Sequence, residues 1–122
     1  MKDELGDRIK NRYEDRSRIY LPLRSYTIIR CDGKSFSNYC KGFIKPFDDG
    51  LMDDMDATAA YLCKNIMNCK LAFVQSDEIS LLLSDFEDIK TQAWFDNNLQ
   101  KMCSVSASMA TRAFNEARLK RG

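Results

Sequence analysis

Two short apolar runs, Leu71-Ala72-Phe73-Val74 and Ile79 with Leu81-Leu82-Leu83, flank the polar segment Gln75-Ser76-Asp77-Glu78. Apolar runs of this length bounded by polar residues read as strands, and the segment between them is short enough only for a tight turn. The sequence therefore predicts a hairpin over residues 70–84, with two adjacent carboxylates where one strand turns into the next. Like charges side by side between apolar strands repel and are poorly solvated, a cost usually offset by a cation or a shared proton. A divalent metal is the first ligand to test for at this turn.

The 122 residues fit one domain, residues 1–122, and 44% hydrophobic with 30% charged residues suffices for a modest core. With 19 basic and 18 acidic residues there is no overall cationic field, so an RNA or anionic partner must be met by a local patch. No run approaches the roughly 18 apolar residues of a membrane span. The start, Met1-Lys2-Asp3-Glu4, is charged where a secretory signal turns apolar, so a cytoplasmic location and no membrane partner are expected. Five cysteines (Cys31, Cys40, Cys63, Cys69, Cys103) without paired C-x-x-C spacing read as reduced core thiols, not disulfides or zinc ligands. Histidine is absent, which removes Ser-His-Asp and Cys-His catalysis and leaves acids, lysines and metal.

Along the chain, Leu5, Ile9 and Tyr13 mark a narrow seam on a solvated helix over residues 4–16, broken by Pro22. Tyr26-Thr27-Ile28-Ile29-Arg30-Cys31 is a buried strand ending in Asp32-Gly33. After it, Lys34-Ser35-Phe36 can open a helical turn whose free N–H groups point back at Asp32. A second helix is expected from Asp48 or Asp49 to Asn68, with Leu51, Met55, Ala59, Leu62 and Ile66 on its apolar face. Asp53, Asp54 and Asp56 in its first turns read as a solvated helix start. A last helix runs from Leu99 to Lys120, with Met102, Val105, Met109, Ala113 and Phe114 facing the core and Ser104, Ala107, Ser108 and Ala110 packing closely on a sheet. The fold class is α+β: a β-α-β-β-α core with an N-terminal helix, ferredoxin-like but lacking the last strand of that unit at the C-terminus. The crossover helix would place the first strand parallel to the hairpin's first strand and beside it.

In that topology Asp32 faces Asp77, with Glu78 close by. Hard oxygen ligands on a shallow surface suit Mg²⁺, which keeps several waters and binds one or two carboxylates plus substrate phosphates. Two such ions serve phosphoryl or nucleotidyl transfer. Lys45 and Lys101 are candidates to neutralise phosphate charge. The same residues also fit a blander reading, because Asp-Gly is a common turn, adjacent acids at a hairpin can simply be solvated, and lysines are mostly at the surface.

Taken together, Arg30-Cys31-Asp32-Gly33-Lys34-Ser35-Phe36, Lys45-Pro46-Phe47-Asp48, Gln75-Ser76-Asp77-Glu78-Ile79-Ser80 and the spacing to Phe95 and Lys101 resemble the tRNA-His guanylyltransferase family, especially its guanylyltransferase-like branch. Leu5-Gly6-Asp7-Arg8 and Tyr13-Glu14 fit as well. The resemblance implies a polymerase-like palm that adds nucleotides to tRNA 5′ ends in the 3′-to-5′ direction. The end is first activated with ATP or GTP, and the 3′-hydroxyl of an incoming nucleotide then attacks it. It implies Asp32, Asp77 and the Gly33 carbonyl as ligands of two Mg²⁺ and Glu78 as a supporting acid. It also implies Ser76 as a nucleotide contact, the amides of Gly33, Lys34, Ser35 and Phe36 with Lys45 and Lys101 as triphosphate binders, and Arg30 and Asp48 as residues shaping the pocket. Such enzymes are typically tetramers. Asn97-Asn98 stands where the family usually carries a basic residue, and known members are about twice this long. The alternative is therefore a nucleotide- and metal-binding module without turnover of its own, or one half of a split enzyme.

Overall fold

The computed structural model describes residues 4–33 and 49–121. The charged N-terminal segment starts as α1 (Glu4–Ile9), passes into a π-helical turn (Lys10–Glu14) and ends in a 3-10 turn (Asp15–Ser17). It is less regular than the single helix expected. Leu5, Ile9 and Tyr13 are 55%, 41% and 70% exposed, so the apolar seam is not buried. Local ion pairs from Arg18 to Glu14 (3.3 Å) and Asp15 (2.8 Å) hold its end. The chain beyond is fixed more firmly. The Leu21 N–H donates to the Asn97 carbonyl (2.9 Å) and the Leu99 N–H to the Ile19 carbonyl (2.8 Å). The N–H groups of Arg24 and Ser25 both donate to the buried Asp85 carboxylate at 2.8 Å.

Among the described residues the sheet has three strands, β1 (Tyr26–Asp32), β2 (Cys69–Gln75) and β3 (Glu78–Ser84), in the order β1-β3-β2 with both neighbouring pairs antiparallel. This corrects the expected topology. β1 lies beside the second strand of the hairpin, not the first, and runs antiparallel to it. The reason is visible in β3 itself, whose run Ile79-Ser80-Leu81-Leu82-Leu83 is apolar on nearly every residue, as a central strand must be. The crossover then leaves β1 and β2 parallel but separated by the strand that fills the slot between them.

Two helices, α2 (Asp49–Asn65) and α3 (Leu99–Arg121), cover one face of the sheet. The core lies between them, formed by Ile29, Ile79, Leu81 and Leu83 from the sheet, Met55, Ala59 and Leu62 from α2, and Met102 from α3. Ile66 and Trp94 complete it. On the other face Tyr26, Ile28, Leu71 and Phe73 are all more than half exposed. α2 ends three residues earlier than its apolar spacing suggested, because Asn68 turns the chain with φ 72°, a left-handed conformation that asparagine tolerates better than most residues.

Two packing expectations on the helices fail for geometric reasons. On α3 the small residues Ser104, Ala107 and Ser108 are exposed, whereas Ser106 is 2% exposed and Ala110 packs against the core. The sheet-facing line follows Met102, Ser106 and Ala110 at i+4 spacing, and the other small residues lie off that line. On α2 Asp54 is 2% exposed, not solvated, and is paired with Arg118. Asp53 and Asp56 are exposed as expected. Among the described residues no helix is long and apolar enough to cross a membrane.

α3 begins with a side-chain cap. The Lys101 N–H donates to Asn98 Oδ1 at 3.1 Å, satisfying one of the first-turn donors that a helix otherwise leaves open. Asn98→Ala is expected to lower stability by about 1 kcal/mol, read as a lower urea midpoint with an unchanged slope.

Candidate functional site

The hairpin turn brings the acids together through the backbone. A two-residue connection, Ser76-Asp77, joins β2 to β3, and Ser76 takes φ 56°. Hairpins of this length favour a positive φ at the first turn position because it matches the strand twist. Glycine is the usual residue there, and serine holds the position at a cost of about 1 kcal/mol. Ser76→Gly is accordingly expected to raise the thermal midpoint by a few degrees. Next to the turn, the β1–β3 register ends on Asp32 opposite Glu78. The Gly33 N–H then donates to the Asp77 carbonyl at 3.3 Å, which closes the end of β1 onto the turn.

Asp32 and Asp77 consequently lie at one cleft, with a volume of about 310 Å³. Cys31 and Ile79 line it from the sheet, Met55 and Thr58 from α2, and Ala110 and Phe114 from α3. Its walls are mostly apolar and its acids come from strand ends, the combination expected of a small-ligand site with a few placed polar groups. Burial pushes the Cys31 thiol up, with a smaller opposing effect from its hydrogen bond to Ser106, so it sits in the cleft as an uncharged apolar wall.

Arg30, Asp32 and Glu78 share the outer face of the sheet. The Arg30 guanidinium pairs with Glu78 and lies 3.8 Å from Asp32. The Glu78 side chain is 27% exposed and the other two are more than half exposed, so Glu78 is the acid that most needs a cation nearby. Its charge is met by Arg30, which also reaches Asp32, so Asp77 is the cleft acid that has no ion pair to a described residue.

The donor set fits a hard cation in one respect. Asp32 is exposed and Asp77 half-buried, and Asp77 has no ion pair to a described residue. Oxygen ligands at an open rim suit Mg²⁺, which retains water in the rest of its coordination sphere. Among the described residues no group of three or more acidic or thiol side chains forms a closed metal cage.

The remaining expected site residues divide in two. Lys34, Ser35, Phe36, Lys45 and Asp48 lie outside the described residues. Lys101 does not line the cleft. It stands on the first turn of α3 with Nζ 5.7 Å from the centre of the Phe95 ring. The first cleft residue of α3, Ala110, is nine residues on, roughly 13 Å along the helix axis. Asn97 and Asn98 are buried, and the Asn97 amide donates to the Pro22 carbonyl at 2.8 Å, so this pair anchors the N-terminal segment.

The sequence reading missed the helical half of the cleft. Met55 and Phe114 were legible only as core, and Thr58, Thr111 and Asn115 carried no motif. The available signal was positional: Ala110, Thr111, Phe114 and Asn115 fall on one helical face at i, i+1, i+4 and i+5. Behind this wall the Arg118 guanidinium bonds Asp54 Oδ2 at 3.0 Å, and the Thr58 hydroxyl donates to the Asp54 carbonyl at 2.7 Å. α2 and α3 are thereby fixed on either side of the cleft.

Comparison with known proteins adds a family to this geometry. The model of the tRNAHis guanylyltransferase family, Thg1, matches residues 6–121. Among solved structures, a bacterial tRNA(His) guanylyltransferase (Thg1)-like protein in complex with GTP is 53% identical with a TM-score of 0.89. The match covers 94% of this chain and 52% of that one. The corresponding complex with ATP is 51% identical with a TM-score of 0.91, covering 97% and 52%. The tRNA(His) guanylyltransferase of Saccharomyces cerevisiae is 26% identical with a TM-score of 0.75, covering 92% and 47%. An uncharacterized protein of Acanthamoeba polyphaga mimivirus is 30% identical over 119 residues, which are 93% of this chain and 40% of the viral one. The chain thus spans about half the length of the solved relatives it matches.

Proposed function

The chain belongs to the tRNAHis guanylyltransferase family, and we propose that it carries the metal- and triphosphate-binding half of a nucleotidyltransferase that adds nucleotides to tRNA 5′ ends in the 3′-to-5′ direction. The observation that supports this best is the Gly33–Asp77 backbone bond, which draws the two strand-end acids to one cleft. The bacterial relatives were crystallised with GTP and with ATP, in agreement with a triphosphate as ligand. The α+β layout of three antiparallel strands with two helices on one face supports reading it as part of a ferredoxin-like polymerase palm.

Asp32 and Asp77, with the Gly33 carbonyl, would hold Mg²⁺ in this reading. The chemistry it supplies is that of a Lewis acid toward phosphate oxygens and of a clamp on attacking and leaving oxygens. The protein's own residues do the rest. Arg30 holds Glu78 by its ion pair and keeps the same positive charge near Asp32. Met55, Ile79 and Phe114 present an apolar wall that excludes water from one side of a bound nucleotide. Ser76 stands at the turn where its hydroxyl can meet a nucleotide, and Lys34, Ser35, Phe36, Lys45 and Asp48 would complete the phosphate side. Activation of a 5′-monophosphate end by ATP or GTP, followed by attack of a 3′-hydroxyl, is the reaction this site would serve.

A second reading has its own support. Because the chain spans only about half of its solved relatives, it would bind nucleotide and metal without turnover alone, or act with a second chain that supplies the rest. Incubation of the folded protein with 5′-truncated tRNA, Mg²⁺, ATP and all four nucleotides separates the two. RNA longer than the input supports transfer by this chain. Triphosphate binding with no extension supports the binding module.

A further inference from the structure

Two cysteines that the function does not use lie in contact where α2 gives way to β2. Cys63, in the last turn of α2, and Cys69, the first residue of β2, have their sulfurs 3.4 Å apart, with the Cys69 thiol donating to Cys63 Sγ. Both are partly exposed. The segment between them is tightly turned. Ile66 donates to the Leu62 carbonyl at 2.9 Å, Cys69 to the Ile66 carbonyl at 3.2 Å, and Asn68 takes its left-handed conformation in the middle. The sulfurs are thus held together by backbone geometry and not by a chance rotamer at a loose end.

We infer that Cys63 and Cys69 form a redox-sensitive pair that closes into a reversible disulfide on exchange with a small-molecule disulfide, stapling the end of α2 to the start of β2. A disulfide needs its sulfurs at about 2.05 Å, and these two start in contact, 3.4 Å apart. The order of attack follows from the hydrogen bond. Cys69 Sγ is the donor, and burial first, then the bond to Cys63, pushes its thiol up to about 12. Cys63, the acceptor of that bond, is the sulfur that attacks first. Its thiolate attacks a disulfide RSSR, forming Cys63–S–SR and releasing one thiol, RSH. Cys69 then loses its proton and displaces the second RS group, which leaves as RSH. Two protein thiols are oxidised, one small disulfide is reduced to two thiols, and the two protein protons end on those thiols.

This pair lies at the far end of β2 from the hairpin turn, so the staple acts on the α2–β2 corner and not on the cleft. The test needs neither nucleotide nor metal, and its outcome is independent of the function proposed above. The full chain is treated with oxidised glutathione at pH 8, freed of it, alkylated without reduction and digested with trypsin, which cuts after Lys64 and after Lys70. The expected result is the peptide Asn65–Lys70 joined by a disulfide to the peptide ending at Lys64, with Cys31, Cys40 and Cys103 alkylated. Dithiothreitol should reverse the link. The oxidised protein should melt roughly 5–10 °C above the reduced one, a shift missing in Cys63→Ser and Cys69→Ser. Alkylation of both Cys63 and Cys69, a link that joins either to Cys31, Cys40 or Cys103 instead, or a midpoint that does not rise on oxidation would overturn the inference.

Discussion

Asp54→Ala should lower the folding stability by about 3 kcal/mol, the largest loss expected from any single charged side chain among the described residues. Asp54 is 2% exposed, and its carboxylate meets Arg118 at 3.0 Å across the interface of α2 and α3. Removing one member of a buried pair takes from the other the opposite charge it is packed against. Arg118 is 26% exposed and lies 6.0 Å from the centre of the Phe114 ring, so it recovers part of its hydration but not all. A loss of that size is a large fraction of the 5–15 kcal/mol typical of a domain. Asp53 and Asp56 on the same turns are exposed, and their alanine variants should change stability by less than about 0.5 kcal/mol. Urea unfolding of the three variants provides the comparison. Equal effects at all three positions would show that Asp54 is no more than part of a solvated helix start.

The second large effect concerns binding. Asp77→Ala is expected to weaken Mg²⁺-dependent triphosphate binding by at least about 100-fold, close to 2.7 kcal/mol, while leaving the fold intact. The distinction follows from which part of Asp77 does what. Its backbone carbonyl accepts the Gly33 N–H and is retained in alanine, whereas its carboxylate has no ion pair to a described residue and serves no structural bond there. Asp32→Ala should act in the same direction, since Asp32 lies on the same cleft. Arg30→Ala should behave differently, costing stability as well as affinity, because it strips the partly buried Glu78 of its cation.

Much of this architecture was legible from periodicity. The spacing of Met55, Ala59, Leu62 and Ile66 named the buried face of α2, and the apolar runs around Gln75 placed the hairpin to within a residue or so. Strand neighbourhood was not legible in the same way. Alternation says which face of β1 is buried, but not which edge of the hairpin it joins. Here the nearly continuous apolar run of β3 was the signal that this strand must be central. The acids of the site were legible because their electrostatic cost is local to the sequence. The apolar wall opposite them was not, because Met55 and Phe114 look the same whether they face a core or a cleft. Asp54 was misread for a related reason: its partner Arg118 is 64 residues away, and nothing local distinguishes it from Asp53.

The central claim is that Asp32 and Asp77 form a metal-dependent triphosphate site. Calorimetric titration of the folded chain with GTP, in the presence of Mg²⁺ and again with the metal removed by EDTA, addresses it most directly. The account predicts binding only with Mg²⁺, and its loss in Asp77→Ala at an unchanged thermal midpoint. GTP binding that persists without metal, or that survives in Asp77→Ala, would contradict it.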